Sequence, residues 1–165
     1  MIIMNNRDDL PIEKVDIGIL KILSEDGRIA FNRIADKLNK SPVTIKKHVQ
    51  DLEQQGIIEG YGAKINFEKI GYNIIAFIEI TISKGKMLEV EEKIAANPHV
   101  FGVYDITGTY DALIMARFRS RTELSAMIKD IHKSSDVERT NTHIILNVIK
   151  EGTNFTELIE KDEIK

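Results

Sequence analysis

No cysteine occurs anywhere in the 165 residues, which excludes disulfide scaffolds, thiolate zinc sites and cysteine nucleophiles. Long apolar runs are missing too. A membrane helix needs about 18 to 20 consecutive apolar residues, and the longest stretch here, Tyr72 to Ile82, is interrupted by Asn73 and Glu79. The opening Met1-Ile2-Ile3-Met4-Asn5 lacks the basic segment and longer apolar core of a signal peptide, so a cytoplasmic protein with no membrane partner is expected. There is no phosphate loop, no nucleophile elbow, and no serine set beside a histidine and an acid in a catalytic motif. The histidines, His48, His99, His132 and His143, show no metal-ligand spacing. The carboxylate run Glu89-Val90-Glu91-Glu92 reads as a solvated helix face. Neither catalysis, a metal nor a cofactor is expected.

A large net charge is absent as well, since 23 basic and 26 acidic residues leave −3. The distribution is uneven, however. Residues 28–50 hold six basic groups (Arg28, Arg33, Lys37, Lys40, Lys46, Lys47) against Asp36, whereas residues 67–165 hold thirteen basic and sixteen acidic groups. Such a local basic patch is the electrostatic footprint of a nucleic-acid partner.

The first half reads as helices. From Val15 the aliphatics Ile19, Leu20, Ile22 and Leu23 recur at helical spacing, with Asp16 near the start and Gly27 closing the run. Gly18 inside it costs about 1 kcal/mol relative to alanine. A second helix is predicted over Phe31 to Leu38, with Ile34, Ala35 and Leu38 inward, broken at Asn39-Lys40-Ser41. Ser41 is then an N-cap and Pro42 occupies the first helical position, where its missing N–H is not needed. At about 100° per residue, Ile45, Val49 and Leu52 form a narrow buried stripe. Lys47 points away from it, flanked by Val43, Thr44, Gln50 and Asp51, and Gly56 ends the helix. Two helices joined by a three-residue turn, the second carrying small, polar and basic groups outward, make a helix-turn-helix. Residues 57–65 read as a short strand pair or an extended connector.

The second half alternates strands and helices. Strands are predicted at Tyr72 to Ser83, Val100 to Thr107, Ala112 to Arg119 and Val137 to Lys150, with helices at Met87 to Asn97 and Thr122 to Lys133. That order is β-α-β-β-α-β, the ferredoxin-like arrangement. Both faces of the first strand are apolar, and two helices cover one face of a four-stranded sheet, so sheet-to-sheet dimerisation is the simplest cover for the other.

These residues resemble a known family, the Lrp/AsnC (leucine-responsive, or feast/famine) transcription regulators, and most closely its archaeal members. The likeness is carried by Asp16, Ile19-Leu20, Leu23 and Asp26-Gly27-Arg28, by Ser41-Pro42-Val43-Thr44-Ile45, and by Gln55-Gly56-Ile57-Ile58. Farther on it is carried by Gly71-Tyr72, Gly108-Thr109-Tyr110-Asp111 and Val137-Glu138-Arg139-Thr140-Asn141-Thr142. The resemblance implies an α+β chain: a winged helix-turn-helix DNA-binding domain over 1–60, a connector over 61–71, and a ferredoxin-like antiparallel domain over 72–152 for ligand sensing and oligomerisation. Residues 153–165 form a tail, read as a terminal helix. Double-stranded DNA, a homodimer assembling to tetramers or octamers, and an amino-acid effector are the partners implied. Asn39 stands where the family's turn usually has glycine. His48 stands where arginine is common, which weakens one expected DNA contact or makes it sensitive to pH.

For DNA, Ser41, Thr44, Lys47 and His48 are expected to face the major groove from a helix opened by Pro42, with Arg28, Arg33, Lys40 and Lys46 on the phosphate backbone. For an amino acid, Gly108 permits close backbone approach and exposes N–H groups to a carboxylate. Thr109 and Tyr110 complete that turn, and Asp111 can pair with an ammonium. Thr140 and Thr142, two apart on one strand, point the same way and could hold the ligand with the turn. An ordinary hairpin turn beside β-favouring threonines fits the same spacing. A ligand-sensing module whose winged helix contacts protein rather than DNA is the alternative function.

Overall fold

The computed structural model describes residues 12–152, and the expected tail helix lies outside the described residues. The chain divides into two compact units, the second running from Ile65 to Lys150 and the first comprising the residues on either side of it.

In the first unit α1 spans Lys14–Glu25, α2 Phe31–Leu38 and α3 Pro42–Gln54. A capping box opens α1, the Glu13 N–H donating to the Asp16 carboxylate at 2.8 Å. Asn39 ends α2 in the left-handed conformation at φ 51° and ψ 48°, which its short polar side chain tolerates better than most. Ser41 then caps α3, its hydroxyl accepting the Thr44 N–H at 3.0 Å, and Gly56 at φ 70° releases the chain. Ile19, Ile34, Ala35, Ile45, Val49 and Leu52 make the core. Gly18 proves to be a close-approach position. A Cβ there would stand 2.8 Å from a Leu38 methyl, so the missing side chain lets the end of α2 pack onto α1. Residues 57–65 form the extended connector and not the strand pair, in keeping with the poor stability of an isolated two-stranded hairpin in water.

The second unit runs β1 (Ile74–Ile82), α4 (Met87–Ala95), β2 (Val100–Asp105), β3 (Ala112–Phe118), α5 (Arg121–Ile131) and β4 (Val137–Ile144). The sheet is antiparallel in the order β2-β3-β1-β4, the ferredoxin-like arrangement. Alternation decides which residues meet the helices. Ala76, Ile78 and Ile80 of β1 and Ala112, Ile114, Ala116 and Phe118 of β3 are buried against Val90 and Ile94 of α4 and Leu124, Met127 and Ile131 of α5. On the opposite face Ile75, Phe77, Leu113 and Met115 are half-buried, and Phe101 and Tyr104 are exposed.

The fourth strand stops six residues short of the predicted Lys150. Its partner is β1, paired from Ile82 to Ala76, with a last hydrogen bond from Ile145 N–H to the Ile75 carbonyl. Pairing between the two strands ends there. The apolar periodicity of Ile144 to Ile149 therefore continues without a ladder.

Candidate functional site

The outer face of α3 is built by what its inner face buries. Ile45, Val49 and Leu52 are almost fully enclosed, which turns Val43, Lys46, Lys47 and Gln50 to solvent. Val43 is 78% exposed. Arg28, Arg33, Lys40, Ser41 and Pro42 are also exposed, so the basic residues expected on phosphates all reach solvent from one small unit. Ser41 and Thr44 are more constrained. Their hydroxyls lie 2.8 Å apart, and the Ser41 oxygen already receives the Thr44 N–H.

His48 is the correction. Its Nδ1 lies 2.7 Å from the Asp16 carboxylate on α1, and its side chain is only 19% exposed. The reason is angular: three residues after Ile45 and four before Leu52, His48 stands on the flank of the buried stripe and not on the groove side. Val43 and Gln50 are the outward residues that the expected contact set omitted. Their signal was the same helical wheel that placed Lys47.

The turn in the second unit is partly committed to the fold. Gly108 is exposed at φ 126°, with open space where a Cβ would stand, and Thr109 is exposed. Tyr110 carries the Arg139 guanidinium over its ring, 5.4 Å from the centroid, which brings the turn and the start of β4 together. Asp111, however, accepts the Ile82 N–H at 2.8 Å, so one carboxylate oxygen ties β1 to the turn. Thr140 and Thr142 pair opposite Ile80 and Ile78, and thus lie on the helix-covered face. The Thr140 hydroxyl is 2.7 Å from His132 Nε2 at the end of α5. The turn meets Arg139, while the threonine hydroxyls face the helices.

A carboxyl that the sequence placed on a solvated face belongs beside this turn. Glu91 on α4 has Oε1 buried without a hydrogen-bond partner among the described residues. Burial pushes its carboxyl up to about 7, helped by the neighbouring carboxylates of Asp105 and Asp111. A folded-state value above the ordinary 4.5 means that the folded chain keeps a proton the unfolded chain would release. The Glu91 contribution to stability is therefore fully present below about pH 4.5 and is lost as pH rises through about 7. Glu91→Gln should remove that fall: its urea midpoint should exceed wild type at about pH 8 and converge with it near pH 5.

The fold and the basic helix face define a helix-turn-helix protein with a separate ferredoxin-like unit. Two family models match it, "Winged helix-turn-helix DNA-binding" over residues 12–59 and "Lrp/AsnC ligand binding domain" over residues 75–155. An uncharacterised HTH-type transcriptional regulator of Pyrococcus furiosus is 41% identical over 142 residues, covering 86% of this chain and 96% of that protein. Among solved structures, Escherichia coli AsnC superposes with a TM-score of 0.81 at 29% identity, covering 86% of this chain and 97% of its own. A Neisseria meningitidis transcriptional regulator in complex with L-Met gives 0.80 at 27%, with coverages of 87% and 95%. The chain belongs to the Lrp/AsnC family of transcriptional regulators. It is a DNA-binding regulator carrying a ligand-binding domain, and not an enzyme. No helix among the described residues is long and apolar enough to cross a membrane.

Proposed function

We propose that this regulator reads double-stranded DNA in the cytoplasm with the outer face of α3, as a homodimer that assembles further, and that an amino acid bound at the second unit changes its DNA occupancy or assembly. The observation that carries the DNA reading is the pairing of a buried Ile45/Val49/Leu52 stripe with exposed Val43, Lys47 and Gln50 opposite it. An α-helix fits the major groove; its outward side chains meet base edges while surrounding cations hold phosphates. Val43, Lys47 and Gln50 are assigned to bases, and Arg28, Arg33, Lys40 and Lys46 to the backbone. Self-association is supported by the apolar sheet face around Phe77 and Met115, which pair across β1 and β3 on the side opposite to α4 and α5 of the same unit. The amino-acid class is supported by the L-Met bound to the Neisseria regulator and by the exposed Gly108 turn.

The test is a gel-shift salt titration with a duplex selected by the protein from a random pool. Affinity should fall by about 0.9 log unit per log unit of salt for each phosphate neutralised. Lys40→Ala should weaken binding to all sequences alike and lower the slope by about one phosphate, whereas Lys47→Ala should cost about 1 to 3 kcal/mol and relax the sequence preference. A salt-independent signal would remove the DNA reading. Repeating the titration with each of the twenty amino acids tests the effector, and sedimentation tests assembly.

A further inference from the structure

Asp16 is the buried charged side chain of the described residues, 8% exposed. A carboxylate withdrawn from water is costly unless it is paired and hydrogen-bonded, and both of its oxygens are occupied. Oδ2 accepts the Glu13 N–H at 2.8 Å, and Oδ1 lies 2.7 Å from Nδ1 of His48, 32 residues away on α3. The rest of the core around these helices is aliphatic. The aliphatic stripe sets which side of α3 goes inward, and a polar contact on the flank of that stripe adds a second restraint on rotation about the helix axis. A short hydrogen bond is directional. It fixes the azimuth of α3, and with it the direction in which the adjacent Lys47 projects.

We propose that Asp16 and His48 are positioning residues for DNA recognition, and that the contact between them makes DNA affinity depend on proton occupancy of the imidazole. The proposal rests on the DNA reading above and adds its regulation by pH. Imidazole changes charge between about pH 5 and 8, and a hydrogen bond between charged partners is roughly twice as strong as a neutral one. Asp16 is in contact with the ring, and the other charged residues that line the same cleft are Glu13 beside α1 and Lys47 and Asp51 on α3. His48 is the single histidine of residues 1–64, so a proton-linked effect within the DNA-binding unit has one imidazole to act through. Only the fraction of molecules with α3 correctly set binds tightly, so loosening the contact raises the apparent Kd.

The experiment measures fluorescence anisotropy of the selected duplex with the full chain across about pH 5.5 to 8.5. Wild-type Kd should rise roughly fivefold over that range, the ratio that corresponds to about 1 kcal/mol of lost bond strength. His48→Arg, which keeps a charged donor at every pH, should bind tightly with a flat profile in the same window. Asp16→Asn should weaken binding at the acid end although it removes a negative charge near the DNA. His48→Gln should weaken binding with the salt slope unchanged, because no phosphate contact is lost. A wild-type profile parallel to that of His48→Arg would overturn the proposal. So would Asp16→Asn binding at least as tightly as wild type, which would leave the carboxylate no positioning role, or a His48→Gln slope lower by about 0.9, which would make the ring a direct phosphate contact. Should Asp16→Asn fail to fold by circular dichroism, the His48→Arg and His48→Gln pair decides the matter. Absence of wild-type binding at every pH would instead refute the DNA reading itself.

Discussion

Phe118→Ala should destabilise the second unit by about 3 to 5 kcal/mol, the usual cost of removing a fully enclosed phenyl ring and leaving its cavity. The ring has no exposed surface and lies at the end of β3, opposite Ile74 on the central strand. It also stacks on His99, with centroids 4.8 Å apart and planes at 28°. That imidazole is itself fixed, its Nδ1 2.9 Å from the Arg117 carbonyl while the Arg117 N–H donates to the His99 carbonyl at 2.9 Å. Truncation therefore removes core packing and one wall of a hydrogen-bonded corner together. Urea unfolding followed by a probe in residues 65–150 should show a lower midpoint with little change in slope. A loss under about 1 kcal/mol would mean that the site collapses around the missing ring, and the enclosure described for Phe118 would then not hold in solution.

Ile45→Ala should cost about 2 to 5 kcal/mol in the first unit, and DNA affinity should fall with it. Ile45 is wholly enclosed among Ile19, Ile34, Ala35, Val49 and Leu52. Its side chain is what holds the inner face of α3, so a cavity there frees the face that carries Val43 and Lys47. Phe118→Ala leaves this cluster intact, and the two variants should differ accordingly in gel shift: loss for Ile45→Ala, retention by the folded fraction for Phe118→Ala. Equal effects on DNA binding would show that the anchor under α3 is not what presents the helix.

Much of the first unit was legible in order along the chain because its determinants are local. Ser41 and Pro42 start a helix by capping chemistry, Asn39 accepts the left-handed turn, and the spacing of Ile45, Val49 and Leu52 specifies which side goes inward. The ferredoxin-like order followed similarly from alternating residues in β1 and helical spacing in α4 and α5. The misreadings have a common origin. The family pattern puts His48 among the DNA contacts, yet its position on the flank of the stripe brings it within reach of a carboxylate 32 residues earlier. Glu91 counted as solvated because it sits among glutamates, yet Asp105 and Asp111 meet it from the sheet. Apolar residues continue toward Lys150, yet β4 ends at Ile144, where its pairing with β1 ends.

The sequence by itself determined the helices, their caps, the buried stripe of α3, the strand order along the chain and the family, because backbone propensity and side-chain period act over a few residues. The tertiary structure alone decided which polar groups are spent on one another: Asp16 on His48, Asp111 on the Ile82 N–H, Thr140 on His132. Hydrogen bonds and desolvation depend on distance in space, and a chain folded back on itself sets those distances between residues whose separation in sequence carries no sign of them.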